Sequence, residues 1–172
     1  MKYGIAFFPS KAIQDEANSY RKRYDPHYDL IPPHITLKEA FQMDEDKIDE
    51  LIPELKKIAN ESKPFKININ KVSTFAPTTY TIYMKVEPVP EIVELYEKMQ
   101  TGKFPENKEY AFVPHITIAQ KLKHDEYSDV FGSLQMKKIE FEDVVDRFQL
   151  LYQLDNGMWT VYESFVFGKE TL

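Results

Sequence analysis

Cysteine is absent from this chain, which excludes a thiol nucleophile, a disulfide framework and any zinc site built on thiolates. Glycine is scarce, with five in 172 residues, and none opens a G-x-x-x-x-G-K phosphate loop or sits in a G-x-S-x-G elbow. No run approaches the ~20 apolar residues that a membrane helix needs. The apolar start, Tyr3 to Phe8, is halted by Pro9 and is too brief for a secretory signal, so a cytoplasmic chain is expected. Positive charge is also in short supply: 22 basic against 28 acidic residues leave a net charge of −6. Such a surface does not coat DNA or RNA by neutralising phosphates, but a small anion or an RNA end in a local basic pocket stays open. What is plentiful is core material, 42% hydrophobic and 14% aromatic, enough for one domain of this length.

The most informative presence is a phrase that occurs twice. Pro33-His34-Ile35-Thr36-Leu37 returns as Pro114-His115-Ile116-Thr117-Ile118, 81 positions later. In an extended strand, alternate side chains share a face. His34 and Thr36 therefore point one way while Ile35 and Leu37 point the other; the second copy repeats the pattern. An imidazole and a hydroxyl on one face suit proton transfer beside a bound anion, and two such strands facing one groove supply an acid and a base. The bland alternative is a pair of core strands whose histidines are satisfied structurally.

The repeat extends beyond the phrase. Helical spacing predicts a helix over 10–24, with Ile13, Ala17, Tyr20 and Tyr24 on one side, and its counterpart over 91–101, ended by Gly102. The motif strands follow, at about 31–41 and 112–122. Next come a helix over 46–60, with Pro53 as a possible kink, and a shorter helix over 125–134. Strands are expected around Phe65–Ile69 and Tyr80–Val86, with counterparts at 147–154 and 158–167 joined by the Asp155-Asn156-Gly157 turn. A strand over 138–144 has no clear mate, and Tyr3–Phe8 opens the chain. The expected architecture is one α+β domain spanning 1–172, with an internal repeat at approximately 10–86 and 91–167. Its two pseudo-twofold-related lobes would each be a small antiparallel sheet flanked by outer helices, with a cleft between them.

The duplicated His-x-Thr-aliphatic signature resembles the two-histidine (2H) phosphoesterase superfamily, and the wording around it is similar to its small YjcG-like bacterial branch. The resemblance implies a bilobal fold and metal-independent hydrolysis of a cyclic phosphodiester, such as the 2',3'-cyclic phosphate of a nucleotide or RNA end. It implies His34 as proton donor, His115 as proton acceptor, and Thr36 and Thr117 as phosphate ligands. It implies no cofactor and a small nucleotide or RNA-end substrate, while the acidic charge and the lack of a membrane segment point away from DNA and membranes, and a monomer is expected. Symmetry alone does not decide which histidine is the acid.

Two competitors stand beside this reading. His34 and His115 lack the i, i+4 spacing of a helical zinc pair, which weighs against a metal centre. A non-catalytic module gripping a nucleotide or RNA phosphate with the same fold is the other. Further candidate contacts are Lys38 and Lys121, which continue the motif strands, and Tyr110 and Phe112, which could stack a base. His27 and His124 lack the motif and read as surface or turn histidines. Arg21-Lys22-Arg23 and Lys123 read by default as solvated charges.

Overall fold

The computed structural model describes residues 1–106 and 111–168. In chain order they form β1 (Lys2–Phe7), α1 (Lys11–Tyr24), β2 (Ile35–Gln42), α2 (Glu45–Glu61), β3 (Phe65–Thr74), β4 (Ile82–Val86) and α3 (Pro90–Lys98). Then follow β5 (His115–Ala119), α4 (His124–Leu134), β6 (Phe141–Val145), β7 (Arg147–Gln153) and β8 (Trp159–Val166). The strands make two antiparallel sheets, ordered β2-β1-β7-β8 and β5-β4-β3-β6. The α+β class and the two lobes expected from the repeat are both present. No helix among the described residues is long and apolar enough to cross a membrane.

Local chemistry explains the elements. On α2, Ile48, Leu51, Leu55 and Ile58 recur at helical spacing and are buried, and the helix runs on through Pro53 without ending there. Pro90 begins α3, where its missing N–H costs nothing. The β7–β8 hairpin closes over Asn156, whose side-chain oxygen accepts from the Met158 N–H at 3.0 Å. Gly157 takes the left-handed conformation there, φ +89°, which a side chain would strain.

Strand pairing departs from the expected halves. β3 belongs to the first half of the chain but pairs with β4 and β6 in the second sheet. β7 and β8 belong to the second half but extend the first sheet beyond β1. The 82–86 strand, expected to close the first repeat, is instead the counterpart of β1 in the second sheet: β1 pairs with motif strand β2, and β4 with motif strand β5. The 138–144 segment finds its mate too, since β6 lies beside β3. The repeat boundary near 86–91 is thus not a boundary between sheets. Each half donates strands to the other sheet, because β1 and β4 each have one edge taken by a motif strand and the other free. Helices cross as well, α1 packing against β5 and α3 against β2. The halves are interlocked, and both motif strands lie at sheet edges that meet along the groove.

Candidate active site

Alternation along β2 and β5 works as the sequence predicts. Ile35, Leu37, Ile116 and Ile118 are at most 1% exposed and anchor the strands in the core. His34, Thr36, His115 and Thr117 are half-buried on the opposite faces, and all four line one cavity of about 300 Å³. A larger cavity of about 740 Å³ adjoins it and shares Thr36, Lys38, His115 and Thr117, but not His34. Of the two cavities, only the smaller is lined by both imidazoles.

The two rings are held by the same device. His34 Nδ1 lies 2.9 Å from the Pro32 carbonyl, and His115 Nδ1 lies 2.6 Å from the Val113 carbonyl. A carbonyl only accepts, so in each ring Nδ1 carries the hydrogen and Nε2 keeps its lone pair. Each ring therefore presents an unspent nitrogen able to take a proton. Burial lowers the His34 pKa to about 4, with the nearby Arg21 and His115 charges adding to the effect; the Pro32 bond and Asp25 oppose it. His115 is also lowered by burial, partly offset by its Val113 bond. Both imidazoles are therefore neutral near pH 7, and an anion placed between them favours protonation of either.

Their surroundings break the symmetry. Opposite Thr36 on the neighbouring strand stands Ala6, whereas opposite Thr117 stands Tyr83. Residues directly opposite in an antiparallel pair share a face. Tyr83 packs against the His115 ring at 5.1 Å between centroids, and Phe75 meets it edge-on at 5.0 Å. On the first sheet, the small residues Gly4, Ala6 and Ala40 line the smaller cavity together with Trp159. A shelf of small residues thus lies beside His34, while aromatic rings pack against His115, which also lines the larger cavity.

The remaining sequence candidates separate cleanly. Lys38 is 2% exposed and lines both cavities. Its ammonium donates to Gln100 Oε1 at 2.9 Å and to the Pro105 carbonyl, and burial lowers its pKa. Phe112 lines the larger cavity, stacked on Tyr96 at 4.0 Å. Lys121 is exposed, has φ +58° and lines neither cavity, because the strand has ended and the chain is turning. Tyr110 lies outside the described residues. His124 is exposed at the start of α4 rather than in a turn, and His27 lines the smaller cavity.

Arg21 is the clearest departure from expectation. Instead of facing solvent with Lys22 and Arg23, it is 2% exposed. A signal exists in the spacing: Ile13, Ala17 and Arg21 stand at i, i+4, i+8, so the arginine continues the apolar stripe. Asp25, Gln120 and Trp159 also line the smaller cavity; nothing local in the sequence singles them out. Among the described residues, no group of three or more His, Asp or Glu could hold a metal.

Residues 9–157 match the sequence model of the family described as the 2'-5' RNA ligase superfamily. The chain belongs to that superfamily. This agrees with the two-histidine resemblance carried by the doubled motif. A protein of Oceanobacillus iheyensis named "Putative phosphoesterase" is 62% identical over 170 residues, covering 99% of this chain and all of that one. A Bacillus licheniformis protein of the same name is 56% identical over 168 residues, covering 98% and 99%. Among solved structures, TT0787 of Thermus thermophilus superposes with a TM-score of 0.73 at 18% identity, covering 99% of this chain and all of that one. E. coli LigT complexed with 3'-AMP gives 0.70 at 13% identity, covering 98% of both. The likeness to these two solved structures is one of fold.

Proposed function

We propose that this superfamily member is a phosphoesterase that hydrolyses a cyclic phosphodiester, the 2',3'-cyclic phosphate of a nucleotide or RNA end, without a metal. The observation that carries the reading is the matched pair of Nδ1–carbonyl bonds, which leaves Nε2 of His34 and of His115 unspent beside one cavity. His115 takes a proton from water as the water oxygen attacks phosphorus. The ring P–O bond breaks, and His34 protonates the departing ribose oxygen, giving a phosphomonoester and a free hydroxyl. Attack and departure in line suit imidazoles contributed by two different sheets. The Thr36 and Thr117 hydroxyls stabilise charge on the non-bridging oxygens. His34 must start protonated, and the substrate's own negative charge supplies the reason, since it raises the proton affinity of a ring that is otherwise neutral near pH 7.

The assignment of His34 as acid also has support from its surroundings. Gly4, Ala6 and Ala40, all small, line the cavity on its side and suit a ribose there, while Tyr83 and Phe75 pack against the other ring. The larger cavity, with Phe75 and Phe112 in its wall, is roomy enough for a base or a 5' extension. E. coli LigT, which shares this fold, has been crystallised in complex with 3'-AMP and with phosphate, in keeping with a nucleotide phosphate as the ligand.

The test is hydrolysis of a panel of nucleoside and RNA-end cyclic phosphates in EDTA, comparing wild type with His34→Ala and His115→Ala. Each variant is expected to lose at least ~10² in kcat/KM while remaining folded. Full activity in either variant removes the acid–base assignment, and loss of wild-type activity on chelation favours a metal. Binding without turnover of any cyclic phosphate points to the non-catalytic module instead.

A further inference from the structure

Both motif strands are tied to one buried arginine. Arg21 Nε donates to Asp25 Oδ2 at 3.2 Å, Nη1 to Asn18 Oδ1 at 2.7 Å, and Nη2 to the Ile31 carbonyl at 2.6 Å and the His27 carbonyl at 3.4 Å. Ile31 lies three residues before His34. The other Asp25 oxygen accepts from Gln120 Nε2 at 2.9 Å and from the His27 N–H at 2.8 Å. Gln120 lies three residues after Thr117, and its own backbone N–H donates to the Tyr24 carbonyl at 3.1 Å. A continuous hydrogen-bonded path therefore runs from the loop before His34, through α1, to the end of the strand that carries His115.

Arg21 and Asp25 are both 2% exposed at their side chains. A buried ion pair contributes little to stability against an apolar replacement, so what this pair supplies is the placement of its hydrogen-bond partners. A guanidinium offers five donors in a rigid fork, which suits holding several acceptors at set positions.

We propose that Arg21, Asp25 and Gln120 form a strut between the two sheets that sets the spacing of the two imidazoles across the groove. They are positioning residues, acting through His34 and His115 rather than on substrate. The proposal rests on the acid–base reading for its activity readout but not for its spectroscopic one. Arg21 also acts on His34 electrostatically. The titratable and charged groups around the cavity that holds His34 are Arg21, Asp25 and His27 from α1 and the turn after it, Lys38 and Glu39 from β2, and His115 from β5. Arg21 and His115 disfavour a proton on His34, and Asp25 favours one.

The experiment is an NMR titration of the four histidine rings, with and without inorganic phosphate, in wild type, Arg21→Gln, Asp25→Asn and Gln120→Leu. In wild type, phosphate should shift the His34 and His115 signals together at one saturating concentration. Gln120→Leu keeps every charge and removes the side-chain link from Asp25 to the end of β5, leaving only the backbone bond to Tyr24, so phosphate should still shift one ring but no longer both in step; kcat should fall about tenfold or more with KM within about threefold. Arg21→Gln should raise the His34 midpoint by at least about half a pH unit, and Asp25→Asn should lower it. Arg21→Lys, which keeps the charge but not the fork, should restore the midpoint without restoring kcat. The proposal is overturned if Gln120→Leu, folded by circular dichroism, keeps wild-type kcat and concerted phosphate shifts, or if Arg21→Gln and Asp25→Asn move His34 the same way. If wild type hydrolyses no cyclic phosphate yet phosphate still couples both rings through the path, the strut stands and the phosphoesterase reading falls.

Discussion

Holding two neutral imidazoles in a groove makes the fold sensitive to acid, and the size of the effect follows from His34. Its pKa is about 4 in the folded protein against 6.5 for a free side chain. A group whose folded pKa is depressed favours the unfolded state as it charges. The folded state is thus fully stable above about pH 6.5 and loses stability as pH falls through the window from 6.5 to about 4. At about pH 5 this shift alone costs ~2 kcal/mol, and ~1–2 kcal/mol after allowing for solvent at the ring edge. For a protein of this size that lowers Tm by roughly 2–8 °C. His115 contributes in the same direction. Equilibrium urea unfolding at about pH 7.5 and about pH 5, followed by the fluorescence of Trp159, the sole tryptophan, measures it. His34→Gln, which cannot titrate, should lose ~1–2 kcal/mol less than wild type over that interval. Identical pH dependence in the two proteins would refute the reasoning. Sulfate, doubly charged at both pH values, should restore more stability to wild type at the lower pH than to His34→Gln, because it favours the charged ring.

The other expectations are simpler to check. Thr36→Val and Thr117→Val should each lower kcat/KM about tenfold or more on a cyclic phosphate, since each removes one hydrogen bond to developing charge; unchanged kinetics in both would exclude the hydroxyls from the site. Lys38→Met leaves Gln100 Oε1 and the Pro105 carbonyl without their ammonium donor, which should cost ~1–3 kcal/mol in urea unfolding. Ala6→Leu should fill the shelf beside Thr36, raising KM by about tenfold or more while leaving a folded protein, and a wild-type KM would show that substrate does not use that side. Gly157→Ala should cost about 1 kcal/mol in the same unfolding assay because that position has φ +89°.

Much of this is open to local reasoning. Strand alternation is a property of a few consecutive residues, so Pro33-His34-Ile35-Thr36 and its copy place imidazole and hydroxyl on one face before any partner is known. The Asp155-Asn156-Gly157 turn and the apolar stripe of α2 are legible for the same reason. Arg21 departs from the solvated reading because its place on the Ile13–Ala17 stripe outweighs its charge. Lys121 lines neither cavity because the backbone turns before strand continuity reaches it. Partner choice lies beyond the local signal. Nothing near Phe65–Thr74 says that it crosses to the sheet of the other half, and nothing near Gln120 says that it meets Asp25, because pairing depends on which edges remain free and which helix covers them. Sequence alone determined that two histidines with threonine companions exist and face one way. Only the tertiary structure decided that they line one cavity, that each is locked by a backbone carbonyl, and that Ala6 stands opposite one threonine where Tyr83 stands opposite the other.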